Sequence, residues 1–499
     1  MLFQSISSFL QENYVGVILT SIVLGLASHA YYQILINPLS KFPGPKLAAA
    51  SRIPQFYHLL KGDIREWVVD LHKKYGDVVR FTPDELSYTK ADAWKGIYGH
   101  TVGGKKPMEK DLRFYGWTFN GAPDIVRANG PDHARFRRNF SHAFSDRALR
   151  EQQSLVCHYV DLLVQSLHKT VAENPKAKVN MVRMLNLCTF DIMGDLAFGE
   201  SIDLLAGTGD QTLVSAVFSS LKTNALRRLG RYWPVIEPVV KKFIPKALAV
   251  QSTHHYQACL NRVDKRIDKE DFEHKPDIWG IVMNQKEDLR LSRPEMYANS
   301  QTFMLAGTET TATGLSGLLY HLLMNPDKMD IIVKEVRETF EKDSDIEMRA
   351  LEHMPYLNAC IEEGLRVYPP IPLGLPRVTP EEGAFICGEH VPGKTSVSVH
   401  QWAAYHSPKN FKRPEEFLPE RWIGDEFASD NKAAFQPFST GPRNCLGKNL
   451  AYHEMRLILA KIIYNFDFSI LPESIGWNKQ KTFLLWEKPD LMVQLKARA

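Results

Sequence analysis

Ten residues near the C-terminus, Phe438 to Gly447, read FSTGPRNCLG and run directly into an apolar, helix-forming stretch. Gly441, Pro442 and Gly447 dictate a tight turn there rather than helix or strand. Cys445 therefore stands at the mouth of the next helix, predicted over about Leu446 to Asn465. Free N–H groups and the positive end of the helix dipole stabilise a sulfur anion at such a place. A lone cysteine is more often an inert core residue. Five fixed residue types in one ten-residue window, however, should arise by chance in a chain of this length only about once in ten thousand. A thiolate so placed is a strong anionic donor to a metal.

The N-terminus adds a second constraint. Val15 to Ile36 carries no charged residue, and about 20 apolar residues suffice to cross a bilayer as a helix. Tyr31 and Tyr32 suit the interface, and Lys41, Lys46 and Arg52 follow the span while no Lys or Arg precedes it. That asymmetry puts the body on the cytosolic side and leaves residues 1–14 as a short lumenal tail. A cleaved signal peptide would carry a basic leading segment, which is missing. The sequon Asn139-Phe-Ser141 would then stay unmodified. Asn37-Pro38 and KFPGPKL, Lys41 to Leu47, read as a stiff, non-helical connector over residues 37–50.

From residue 51 to 499 there is no low-complexity linker, no repeat and no change of composition, which predicts one large domain, mainly α with a minor β-sheet region. The six cysteines show no CxxC pair, which excludes a disulfide framework and fits a reducing compartment. A formal net charge of +4 over 499 residues gives no footprint for nucleic acid. One unusually long helix opens at Ser292 with Pro294 and Glu295, the signature of a capping box, and stops before Asn325-Pro326. A second covers Tyr356 to Tyr368 and ends at Pro369-Pro370. Alternation around Thr395 to His400 predicts a short strand.

The pattern F-x-x-G-x-R-x-C-x-G at Phe438, Gly441, Arg443, Cys445 and Gly447 resembles the haem loop of the cytochrome P-450 family, and the match is complete. The resemblance implies the cytochrome P-450 fold behind the N-terminal transmembrane helix, with haem b as cofactor and Cys445 as the metal ligand. Phe438 would cover the sulfur, Gly447 would let the backbone approach the porphyrin, and Arg443 would reach a propionate. Glu363 and Arg366, three apart on one helix face, resemble the family's E-x-x-R. Arg421 in FLPERW resembles the third member of that structural network, which would lock the core beneath the haem loop. In AGTETT, Gly307 and three threonines sit where a mid-helix position favours Ala or Leu, a violation that marks a groove. The resemblance assigns Glu309 and Thr310 to proton delivery for O–O cleavage, and Gly307 to leaving space for a ligand. The family more often has Asp where Glu309 stands. HARFRR resembles its W-x-x-x-R helix, with His133 in the Trp position and Arg137 matching the Arg. Arg377 falls on another propionate-binding position.

The implied activity is insertion of one atom of O2 into an apolar small molecule, a terpenoid, polyketide or alkaloid. KFPGPKLAAASR, FYGWTFNGAPDI and SHAFSDRAL look like the fungal microsomal branch that tailors secondary metabolites. No G-x-G-x-x-G opens a helix after a strand, so electrons are expected from a separate NADPH-cytochrome P-450 reductase. Lys448 would offer that acidic partner a contact. The expected unit is a single-pass protein of the endoplasmic reticulum membrane, with a monomeric cytosolic catalytic domain. Met108 to Ile125, Pro370 to Pro376 and Gln480 to Leu484 are expected to cap and line the pocket. Two alternatives stay open at this point. One is a haem-thiolate isomerase or dehydratase, distinguished by needing neither NADPH nor O2. The other is a non-catalytic haem protein, which would fill the sixth iron position.

Overall fold

The computed structural model describes residues 14–101, 103, 106–269, 277–285 and 290–498, without the side chains of 215–222. The expected lumenal tail lies, apart from Tyr14, outside the described residues. Helix α1, Tyr14–Tyr31, is continued by a wider turn, Tyr32–Ile36. Together they form a 23-residue apolar span with none of its hydrophobic stretch buried inside the protein. The Asn37 N–H donates to Tyr32 O at the end of the span, and its side chain accepts from the Leu39 N–H at 2.8 Å, capping the next turn.

The connector differs from expectation. Pro38–Lys41 and Lys46–Ala50 each wind into a short helical turn, because Leu and three alanines follow Pro45, whose fixed φ suits the entry. The connector is also pinned rather than free. Pro43 O accepts from Arg80 N at 2.8 Å, and a Cβ at Gly44 would come 2.0 Å from the Arg80 carbonyl oxygen.

The body begins with α2, Ile53–Lys61, and α3, Ile64–Tyr75, followed by β1, Val78–Thr82, β2, Glu85–Tyr88, and β3, Glu109–Lys110. Next come α4, Gly130–Ser141, β4, Lys178–Asn180, α5, Met181–Phe198, and α6, Thr212–Tyr232. The long helix α7 spans Arg293–Met324, and α8 spans Pro355–Val367. Strands β5, Arg377–Val378, β6, Ala384–Ile386, β7, Glu389–Val391, and β8, Ser396–Val399, precede α9, Lys448–Asn465, with β9, Phe466–Ile470, and β10, Met492–Ala497, closing the chain. Further helices complete a mainly helical body.

One sheet runs β1-β2-β8-β5-β3, a second β4-β10-β9, and β6-β7 is a hairpin. In the first sheet only β2 and β8 pair in parallel. The register sets Lys110 of β3 directly opposite Arg377 of β5, a like-charge pairing that destabilises a sheet by itself. Helix α7 crosses the middle of the body and packs against α5, α8 and α9. Its start is capped as the sequence predicts, the Glu295 carboxylate accepting from Ser292 N at 2.8 Å and Ser292 Oγ at 3.0 Å.

Candidate active site

The Cys445 loop is built by its glycines and by backbone bonds. Ser439 and Gly441 adopt φ of 58° and 75°, and a Cβ at Gly441 would lie 2.0 Å from the Tyr98 carbonyl oxygen. Cys445 N donates to Phe438 O at 2.8 Å, closing the loop on itself. Gly447 has an ordinary φ of −88°, so what matters there is the missing side chain, with Phe144 3.8 Å from where a Cβ would be. Phe438 packs on Tyr452 of α9 with ring centroids 5.0 Å apart.

Cys445 is exposed, yet protein around it pushes its thiol pKa up; the Gly447 N–H, Arg137 and Lys448 pull the other way. Accessible surface on a group so enclosed marks an internal void. Helix α7 opens onto a void as well. Ala306 is exposed and Thr310 half-buried, while Met304, Thr308, Glu309 and Thr311 beside them are buried. The Thr310 hydroxyl donates to Ala306 O at 2.6 Å.

Two residues of AGTETT face elsewhere. A Cβ at Gly307 would lie 2.4 Å from Met193 Sδ. The space that glycine leaves is thus filled by α5, not by an open groove. The signal for a groove came from a helix-packing contact. Glu309 is fully buried and ion-paired with Lys488. Thr313 Oγ1 donates to Glu309 Oε1 at 3.1 Å, while Oε2 has no partner. Burial raises the Glu309 pKa, and Lys488 and Thr313 oppose that. No hydrogen bond joins Glu309 to Thr310 among the described residues.

On the sheet side, Arg377, Lys110, His133 and Arg443 crowd together. Burial drives His133 down to about 3, helped by repulsion from Arg443, Lys110, Arg137 and Arg377. Burial, then Arg377 and Arg443, hold Lys110 well below the usual lysine range. Arg443 is lowered to about 10 by burial and by Arg377. It donates to Ala128 O at 2.6 Å and pairs with half-exposed Glu109 at 3.1 Å. Lys110 lies 4.2 Å from the Tyr115 ring centroid. Among the described residues, Arg377 Nη1 and the Tyr115 hydroxyl are buried without a partner. Orphaned donors and uncompensated cations at one place form a site for an anion. Arg137 stands apart, donating to Asn444 O at 2.6 Å and Asn444 Oδ1 at 2.5 Å beside Cys445.

Beneath the loop lies a closed network. Arg366 donates to Glu363 at 2.9 and 2.8 Å, to the carbonyls of Tyr405 and Pro414 at 3.0 and 2.7 Å, and to Glu416 O at 2.9 Å. Arg421 reaches Glu363 at 3.4 Å and pairs with Asp430. Trp422 Nε1 and Leu418 N complete the Glu363 carboxylate at 3.0 and 2.9 Å. Tyr405 links outward, its hydroxyl accepting from Gln436 N at 3.0 Å just ahead of Phe438. Sequence reasoning missed Asp430 and Lys488, and it placed Lys110 and Tyr115 only within the segment Met108 to Ile125 expected to cap the pocket. Asp430 lies nine residues past Arg421 and Lys488 179 past Glu309, and no local pattern marks either.

A family profile described as cytochrome P-450 matches residues 43–495. The chain belongs to the cytochrome P-450 family. Its relatives include cytochrome P-450 monooxygenase efuB of Hormonema carpetanum, 46% identical over 94% of this chain and 95% of that protein. Cytochrome P-450 monooxygenase FUM2 of Gibberella moniliformis is 42% identical, covering 94% of this chain and 100% of its own length. AstA of Talaromyces wortmannii, another cytochrome P-450 monooxygenase, is also 42% identical, over 96% of this chain and 98% of its own. The protein is a cytochrome P-450 monooxygenase, and the family implies a haem-thiolate cofactor. The residues fit that group. Its iron needs one anionic donor facing a void, as Cys445 does, and its two propionates need the unbalanced charge around Arg377 and Lys110.

Proposed function

We propose that this P-450 oxygenates an apolar small molecule in fungal secondary metabolism, with haem b held through Cys445. The supporting observation is the Cys445 sulfur, enclosed by protein yet open to an internal void at the mouth of α9. Haem, when bound, supplies the iron and porphyrin on which O2 is activated. The chain's own residues hold it and shape the site. The Gly447 N–H, Arg137 and Lys448 favour the thiolate against the cost of burial, and Phe438 shields it. Arg377, Lys110, His133 and Arg443 take the propionates, which give Arg377 Nη1 the partner it lacks.

Thr310, on the open face of α7, positions its hydroxyl to pass a proton into the void. Glu309 stands behind it as the carboxylate that exchanges the proton, ion-paired with Lys488 and hydrogen-bonded by Thr313 on the closed face. A proton must therefore pass along the helix through water or a side-chain turn. Electrons come from a separate NADPH-dependent reductase docking near exposed Lys448. The apolar span anchors the protein in the endoplasmic reticulum membrane with the body in the cytosol. The 40–46% identity to fungal P-450 monooxygenases supports the metabolic setting.

Reduced full-length protein under carbon monoxide is expected to absorb at about 450 nm, the signature of thiolate ligation. Cys445→Ala abolishes that band. A Cys445→Ala protein that keeps it would sink the assignment.

A further inference from the structure

Helix α6 carries a buried cation that the haem site does not use. Arg228 is 7% exposed, its guanidinium carbon 3.8 Å from the Phe114 ring centroid. Among the described residues its Nε has no hydrogen-bond partner and no carboxylate pairs with it. The nearby acids are already taken. Asp84 pairs with Arg52 and Arg113, Glu85 with Arg52, Asp111 with Arg113 and Asp124 with Arg127.

One turn on, Arg231 donates to Arg113 O at 2.9 Å and Phe114 O at 3.1 Å. Carbonyls satisfy its hydrogens but leave its charge in place. Burial and the Arg228 charge lower Arg231 to about 10. Glu85 and Asp111 act on Arg228 only at a distance, and neither forms an ion pair with it among the described residues. The Tyr115 hydroxyl, unpartnered and buried, interacts electrostatically with both Arg228 and Arg377. Through Phe114, whose ring centroid is 5.1 Å from that of Tyr115, Arg228 stands on the opposite side of Tyr115 from Lys110. Guanidinium cannot shed its proton and matches a carboxylate fork for fork. An unpaired buried arginine is costly, and a substrate that supplies the anion removes that cost.

We propose that Arg228, assisted by the Tyr115 hydroxyl, docks a carboxylate on the substrate, so that the substrate class is an apolar carboxylic acid. The inference rests on the monooxygenase reading above. Its test uses full-length holoenzyme in nanodiscs, with dodecanoic acid and abietic acid each titrated beside its methyl ester. The substrate-induced Soret shift reports binding. At least one acid is expected to bind about tenfold to a hundredfold tighter than its ester. Arg228→Met removes that preference by weakening the acid and leaving the ester unchanged, and Arg228→Lys restores part of it.

A second measurement needs no ligand. Arg228→Met relieves an unpaired charge, so the substrate-free melting temperature is expected to rise by about 2 °C. Three results would overturn the proposal: acids and esters binding alike or not at all, a lower melting temperature, or loss of haem from Arg228→Met. The first makes the site neutral, the second makes the Phe114 stack structural, and the third makes Arg228 a propionate ligand. Failure of the monooxygenase reading looks different, because the band at about 450 nm would be missing from the wild-type protein itself.

Discussion

Two groups of buried charge flank the Cys445 loop, and they are put together on opposite principles. In the network of Glu363, Arg366, Arg421 and Asp430 each charge has an opposite partner or a set of carbonyls, and the side chains are 0% exposed. Around Arg377, Lys110 and Arg443, with a neutral His133 among them, cations face one another, and there and at Arg228 donors go unused. A balanced network stabilises the chain alone; an unbalanced one is waiting for a ligand. Burial by itself therefore says little about role, and charge balance says a great deal. Glu309 and Lys488 belong to the first kind, although Glu309 sits in a motif that suggests the second.

The largest effect should come from breaking the balanced network. Glu363→Leu leaves Arg366 and Arg421 together with no carboxylate between them, and neither can give up its proton. A loss of about 3–5 kcal/mol is expected, read as collapse of folded-protein yield and of the denaturation midpoint. Lys488→Met should cost less, about 2–3 kcal/mol, because Glu309 can take up a proton instead. Adding Glu309→Gln to it should recover part of that loss in a double-mutant cycle. If the two substitutions are additive, the pair is not coupled and the comparison fails there.

Glu454 sharpens the contrast, since it is a buried acid on α9 with no cation paired to it among the described residues. It is 1% exposed, burial raises its pKa to about 8, and Thr311 alone opposes that with a hydrogen bond. The folded state thus keeps a proton that the unfolded chain releases near 4.5. Stability should fall as pH rises between about 4.5 and 8, then level off, with a slope from this group of at most about 1.4 kcal/mol per pH unit. Glu454→Gln should remove that slope. Chemical denaturation at several pH values checks it, and an unchanged slope would contradict it.

The smallest stability effect is expected at Arg377, where the opposing Lys110 makes the native pairing unfavourable. Arg377→Leu should change the haem-free protein by less than about 0.5 kcal/mol. The ratio of Soret to protein absorbance should nevertheless fall clearly. A large stability loss with full haem content would place Arg377 in the first group instead.

Much of this was legible locally. The capping box at Ser292, the stop at Asn325-Pro326 and the strand near Ser396 follow from turn chemistry and periodicity. The loop glycines and the E-x-x-R pair are fixed within a few residues of one another. What could not be read were contacts that depend on distant segments meeting. Gly307 looked like a ligand groove until Met193 filled it, and the connector looked non-helical until Leu47 and three alanines after Pro45 wound into a turn.

The sequence by itself determined the apolar N-terminal helix, the mainly helical body and the cysteine at a helix mouth, because hydrophobic length, glycine freedom and helix capping are short-range effects. Only the tertiary structure decided which buried charges are balanced. Lys110 meets Arg377 through sheet register, Lys488 meets Glu309 across 179 residues, and Arg228 is left over. Charge compensation is a property of the assembled interior, where a missing partner carries a cost that no local pattern records.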